Sequence, residues 1–105
     1  MIENLKTQIR KGMLEYCILL CLEKHEAYTG EILQQLKDAD LLVVEGTLYP
    51  LLSRMKNSGL LEYRWQESTE GPPRKYYKTT AAGSQILHEL ENEWITIRNA
   101  VEKIN

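Results

Sequence analysis

Long apolar runs are missing from this 105-residue chain. No stretch approaches the ~18 residues that a membrane-spanning helix requires, and the Met1 end lacks the apolar core of a secretory signal. Cysteine is scarce, with two residues, which fits a reducing cytoplasm better than a disulfide-stapled secreted domain. Cys17, Cys21 and His25 stand at i, i+4 and i+8, on one face of a helix. A closed zinc site needs a fourth ligand and nothing nearby supplies one, while thiols one helical turn apart have poor geometry for a disulfide. Cysteines at such positions act as small hydrophobes. No glycine-rich phosphate loop is present, and neither histidine sits in a recognisable nucleophile–base setting. A mostly helical chain of this size leaves little room for a catalytic constellation, and no cofactor or metal is expected.

An excess of positive charge is also lacking. Lys and Arg number 13 against 15 Asp and Glu, a net charge of -2, which argues against a polycation that coats nucleic acid. A reader of DNA with local positive charge is not excluded, so the distribution matters more than the total. Residues 1–41 hold five basic and seven acidic side chains, and residues 81–105 hold two and four. The middle segment, 42–80, holds six basic residues (Arg54, Lys56, Arg64, Arg74, Lys75 and Lys78) and four acidic ones. Only this segment is positive, and it is the place to look for a polyanion partner.

What is present is ordinary globular material, 43% hydrophobic and 27% charged, enough for one domain. The spacing of Leu14, Ile18 and Leu22 predicts a first helix over Met13–Glu23, buried on most of its circumference. Thr29 is placed to cap a second helix with Ile32, Leu33 and Leu36 inward, ending at Asp38–Asp40. A third helix starts near Glu45, with Leu48, Leu51, Leu52 and Met55 as a narrow apolar stripe and Gly59 as its left-handed stop. Pro50 removes one backbone bond to the Gly46 carbonyl, unless the helix starts as late as Thr47. From Leu60 the period changes to two: Leu61, Tyr63 and Trp65 alternate with charged neighbours, and Arg74–Thr79 forms a second extended run. The turn material between them makes a hairpin with its tip near Glu70–Pro73.

Thr80 then caps a last helix reaching about Ile104, in which Leu87, Leu90, Trp94, Ile97, Val101 and Ile104 repeat at three and four. At ~1.5 Å per residue, about 24 residues make a helix ~36 Å long, longer than so small a domain can cover. The seam wants a second chain. The order of elements is that of a mainly helical fold with a small hairpin: a winged helix-turn-helix over 1–80 and a dimerising helix over 81–105, together one compact unit. In such folds the third helix enters the major groove and the hairpin touches phosphate beside it. The positive segment is that helix plus the wing.

The strings Glu45-Gly46-Thr47-Leu48-Tyr49-Pro50-Leu51-Leu52-Ser53-Arg54-Met55 and Asn57-Ser58-Gly59-Leu60-Leu61 resemble the PadR family of transcriptional regulators. The likeness extends through Gly71-Pro72-Pro73-Arg74-Lys75-Tyr76-Tyr77, Thr79-Thr80-Ala81-Ala82-Gly83, Gly12-Met13-Leu14-Glu15 and Tyr28-Thr29-Gly30. With a single helix after the wing, the chain is similar to the short branch, which includes regulators of multidrug efflux. The resemblance implies a cytoplasmic homodimeric repressor on double-stranded, palindromic operator DNA. One departure is Val44, where many members carry a capping Ser or Asn; water or Glu45 must serve instead. Together with the acidic total, this predicts modest DNA affinity.

The resemblance and the helical wheel both turn Thr47, Tyr49, Pro50, Ser53 and Arg54 toward DNA, with Asn57 in reach. Arg54 can grip guanine O6 and N7; a phosphate contact or an intramolecular ion pair are its other roles. Arg74 and Lys75, just past the wing tip, are expected on backbone phosphate, and Tyr76 and Tyr77 in the sheet packing. Two roles stand open for Trp94. It is either an aromatic in the dimer contact or, with its symmetry mate, one wall of a cavity for a planar aromatic ligand that alters the angle between the last helices. The competing function is a winged-helix module that binds a protein partner through Tyr49 and Trp65 instead of DNA.

Overall fold

A computed structural model describes all residues, 1–105. Its elements in chain order are α1 (Ile2–Lys24), α2 (Thr29–Asp38), α3 (Glu45–Asn57), β1 (Leu61–Gln66), β2 (Arg74–Thr79) and α4 (Ala81–Ile104). No helix is long and apolar enough to cross a membrane.

α1 is the main departure from the expected boundaries, beginning at Ile2 instead of Met13. Ile2, Leu5 and Ile9 continue the apolar spacing toward the N-terminus, and Gly12 is tolerated inside a helix at modest cost. The cap of α2 also shifts by one residue. Tyr28 takes that position, its backbone N–H donating to Glu31 Oε1 at 3.2 Å, and Thr29 is the first helical residue. The helix ends on Asp40 in the left-handed region, φ 63, where the N–H groups of Asp40 and Leu41 return to Lys37 and Leu36.

α3 starts at Glu45, so Pro50 lies inside it and the bond to the Gly46 carbonyl is absent. Val44 offers no side-chain cap. The other end is built more firmly. Gly59 has φ +81, its N–H donates to the Lys56 carbonyl at 3.0 Å, and the N–H of Leu60 donates to Met55 at 3.0 Å. The hairpin pairs antiparallel, Leu61 with Thr79 through Gln66 with Arg74. Ala27 adds an isolated bridge to Tyr77, which ties the wing to the segment before α2.

The core is one cluster beneath the wing and the three first helices. Ile18, Leu19, Ile32, Leu48, Leu52, Met55 and Leu61 fill its centre, and Leu87 joins it from α4. A joint locks α4 to the end of α3. Thr80 Oγ1 donates to the Gly59 carbonyl at 2.6 Å and accepts the Gly83 N–H at 3.0 Å, while the Thr80 N–H donates to Leu60 at 3.1 Å. Gly83 is required there, since a Cβ would sit 2.1 Å from the Leu60 carbonyl oxygen. Glu23 completes the joint by accepting from the Thr79 and Ser84 hydroxyls.

Along α4 the environment of the seam changes. Leu87, expected at a dimer contact, is 4% exposed and belongs to the chain's own core. Docking at the Gly83 joint presses this first stretch onto α1 and the wing root, so Leu87 has no face left for a second chain. Leu90 is half-buried against that core, and beyond it Trp94, Ile97, Val101 and Ile104 are increasingly exposed.

Candidate nucleic-acid interface

The stripe Leu48, Leu51, Leu52 and Met55 is buried, which decides what the rest of α3 presents. Thr47, Tyr49, Pro50, Ser53, Arg54 and Asn57 are all exposed, so the six residues expected to face DNA share one accessible surface. Tyr49 and Ser53 lie on the side toward the wing, where a cleft of about 580 Å³ runs between α3 and the hairpin. Tyr28, Trp65, Arg74 and Lys75 line it from the other side, and the carboxylates Glu45 and Glu70 are also in its lining.

The hairpin register sorts the wing into two faces. Tyr63 and Trp65 share a face with Tyr77 and Lys75; Arg64 and Gln66 share the other with Tyr76 and Arg74. Tyr77 is buried at the root, and burial raises its phenol pKa. Tyr76 is half-buried, edge-on to Tyr28 with ring centroids 5.4 Å apart. Both tyrosines therefore pack the sheet, as expected. Trp65, near the tip, is 61% exposed.

The six basic residues of the positive segment divide evenly. Three are matched to carboxylates: Arg54 to Glu15 of α1, Arg64 to Glu26, and Lys78 to Glu62 at 3.3 Å. The hydrogen bond from Arg64 holds the Glu26 carboxyl below the usual carboxylate range, although both groups are open to solvent. The other three rest on aromatic rings. Arg74 lies 4.3 Å from the Tyr28 centroid, Lys75 lies 4.6 Å from Tyr63 and 5.3 Å from Trp65, and Lys56 lies 5.7 Å from Tyr63. A ring face attracts a cation without neutralising it, so these three stay available to an anion while their side chains are held in place.

Arg74 and Lys75 thus sit where the sequence placed them, beside the wing tip and unpaired. Arg54 occupies the ion pair that was one of its three expected roles. Lys56 and Tyr28 were missed as site residues, and Trp65 was expected only in a contact with a protein partner. Lys56 had a signal: it follows Tyr49 by seven residues, two turns along the same face. Tyr28 had none, because it reaches Arg74 only through the Ala27–Tyr77 bridge, which ties the segment before α2 to the wing.

On the opposite side of the molecule, Ile9, Gly12, Met13 and Tyr16 of α1 meet Leu90, Glu93, Trp94 and Ile97 of α4 around an apolar cavity of about 320 Å³. Trp94 is 36% exposed at its edge. Cys17 and Cys21, half-buried nearby on α1, have thiol pKa values raised by burial and pack as hydrophobes against the core.

A model of the transcriptional regulator PadR-like family matches residues 18–93. The structure of a PadR-like transcription factor from Bacteroides fragilis is 59% identical, covers 97% of this chain and 99% of its own, and superimposes with a TM-score of 0.83. A PadR-like regulator from Bacillus cereus is 37% identical over 92% of this chain and 95% of its own, at 0.81. PadR of Bacillus subtilis, solved in complex with operator DNA, is 26% identical over 73% of this chain and 45% of its own, at 0.68.

Proposed function

The chain belongs to the PadR-like family of transcriptional regulators, and we propose that it acts as a dimeric repressor that binds a palindromic operator and is released by a planar aromatic compound. The observation that carries the DNA-binding reading is the exposed face of α3 beside three cations, Lys56 of α3 and Arg74 and Lys75 of the wing, that have no carboxylate partner. Thr47, Tyr49, Pro50, Ser53 and Asn57 meet base edges and sugar in the major groove, while Arg74 and Lys75, with Lys56, take backbone phosphate. Arg54 contributes once it leaves Glu15.

The dimer reading rests on unpartnered apolar surface. Ile2, Leu5 and Ile9 of α1 and Ile97, Val101 and Ile104 of α4 are exposed in a single chain. Stripes at heptad spacing on two long helices are what a two-fold interface buries. Trp94 stands where that interface meets the cavity between α1 and α4. An aromatic ligand there stacks on Trp94 and changes the angle of α4, and the Thr80–Gly83 joint carries the change to the end of α3.

The test is an electrophoretic shift on the DNA upstream of the chain's own gene at increasing salt. A regulator retards that duplex in a salt-sensitive way and protects half-sites about one helical turn, ~10 base pairs, apart. A protein-interaction module gives no salt-sensitive retardation. The ligand reading is checked by titrating Trp94 fluorescence with planar cationic dyes in the Trp65→Phe variant, and quenching across the panel is the expected result.

A further inference from the structure

Arg54 is the one guanidinium on α3, and its position differs from that of Arg74 and Lys75 on the wing. They rest on aromatic rings, whereas Arg54 donates to the carboxylate of Glu15, and the two side chains are 61% and 35% exposed. Glu15 belongs to α1. Lys11, one turn earlier on the same helix, makes no salt bridge with it, so Arg54 is its only cationic partner. A carboxylate offers a guanidinium two acceptor oxygens in a plane. A phosphate group and the O6–N7 edge of guanine offer the same geometry.

We infer that Glu15 is a built-in competitor for DNA: it occupies Arg54 in the free protein and sets how much of that charge an operator can use. This inference rests on the reading of α3 as the DNA-facing helix. Binding is then an exchange of acceptors, in which Arg54 leaves the carboxylate and takes a phosphate or a guanine edge. The uncompensated Glu15 is left near the duplex, so the exchange yields less affinity than a free arginine would. The pair is half-exposed, which keeps the effect small enough to be reversed by DNA. The penalty expected from such a pair is about threefold per protomer, about tenfold over two.

The experiment compares Glu15→Gln, Arg54→Gln, the double variant and the unchanged protein by fluorescence anisotropy. Two labelled duplexes are used, the DNA upstream of the chain's own gene and a scrambled sequence of equal length. Glu15→Gln is expected to tighten binding about tenfold and to steepen the log–log salt dependence by about one ion per protomer, because no bare carboxylate is left to take up a cation when Arg54 moves to the duplex. Arg54→Gln weakens binding, and the double variant matches Arg54→Gln, because the gain passes through that guanidinium. Circular dichroism melts confirm that all variants fold, which the exposure of both side chains predicts.

Two outcomes would overturn the inference. One is unchanged or weaker binding by Glu15→Gln, which would make Glu15 inert or a positioning residue for Arg54. The other is a gain that persists in the Arg54→Gln background, which would mark a long-range effect of removing a negative charge. If the unchanged protein binds neither duplex, the DNA-binding reading fails and the competitor falls with it. If it binds and Glu15→Gln does nothing, only the competitor fails.

Discussion

The two halves of α4 carry the same three-and-four spacing of apolar residues and end in opposite surroundings. Leu87 is 4% exposed, packed with Leu22, Leu61 and Tyr77 in the core, while Ile104 is 87% exposed. Spacing alone identifies the apolar face of a helix, not what covers it. The first half is claimed by the chain's own domain because the Thr80–Gly83 joint presses it against the wing root. The second half meets its own chain through Trp94 and Ile97, across the cavity shared with α1, and exposure rises from there to Ile104.

Substitutions at the buried end cost the most. Leu52→Ala, at a fully buried site, is expected to cost about 4 kcal/mol of unfolding free energy, read from urea denaturation. Gly83→Ala comes next. Its Cβ would meet backbone, not a movable side chain, and a loss of about 3 kcal/mol is expected, with α4 undocking before the winged core melts. Hydrogen exchange separates those two events, because protection lost first along α4 is the signature of undocking.

At the exposed end the effect should move from folding to association. Ile97→Asp is expected to leave the protomer folded while weakening a dimer by about 2 kcal/mol per protomer. Analytical ultracentrifugation then shows a monomer, and the melting temperature stops rising with protein concentration. A drop in protomer stability instead would show that Ile97 is a core residue after all.

Two smaller changes sharpen the contrast between local and tertiary effects. Asp40→Gly places glycine at a left-handed position, φ 63, and is expected to stabilise the chain by about 0.5 kcal/mol in a thermal melt. Glu26→Gln should have the least effect. The Glu26 pKa is lowered by its hydrogen bond from Arg64, so this pair stabilises the fold above the ordinary carboxylate pKa. That contribution is lost as pH falls through the lowered value. The variant should melt slightly earlier at neutral pH and match the unchanged protein in acid, which removes a small part of the acid sensitivity.

Much of the fold was legible because its signals are short-range. Gly59 as a stop, Thr80 as a cap and the alternation of Leu61, Tyr63 and Trp65 each act within a few residues, and all three held. The start of α1 was misread for an equally local reason. Ile2, Leu5 and Ile9 have helical spacing but no capping side chain before them, and Gly12 interrupts the pattern. The candidate site divides along the same line. The exposed face of α3 followed from the helical wheel, and Arg74 and Lys75 followed from the wing turn. The fate of each cation did not follow from either.

The amino-acid sequence by itself determined the elements, their order, the apolar face of each helix and the segment that carries positive charge. Periodicity, caps and turn residues act over one or two turns of backbone, and charges can be added segment by segment. Only the tertiary structure decided which cations are left without a carboxylate and which apolar residues stay exposed. Glu15 meets Arg54 across 39 positions, and Glu26 meets Arg64 across 38. Such pairs form only when α1, α3 and the wing pack together, and that packing leaves Lys56, Arg74 and Lys75 without a carboxylate and the last turns of α4, with Val101 and Ile104, bare.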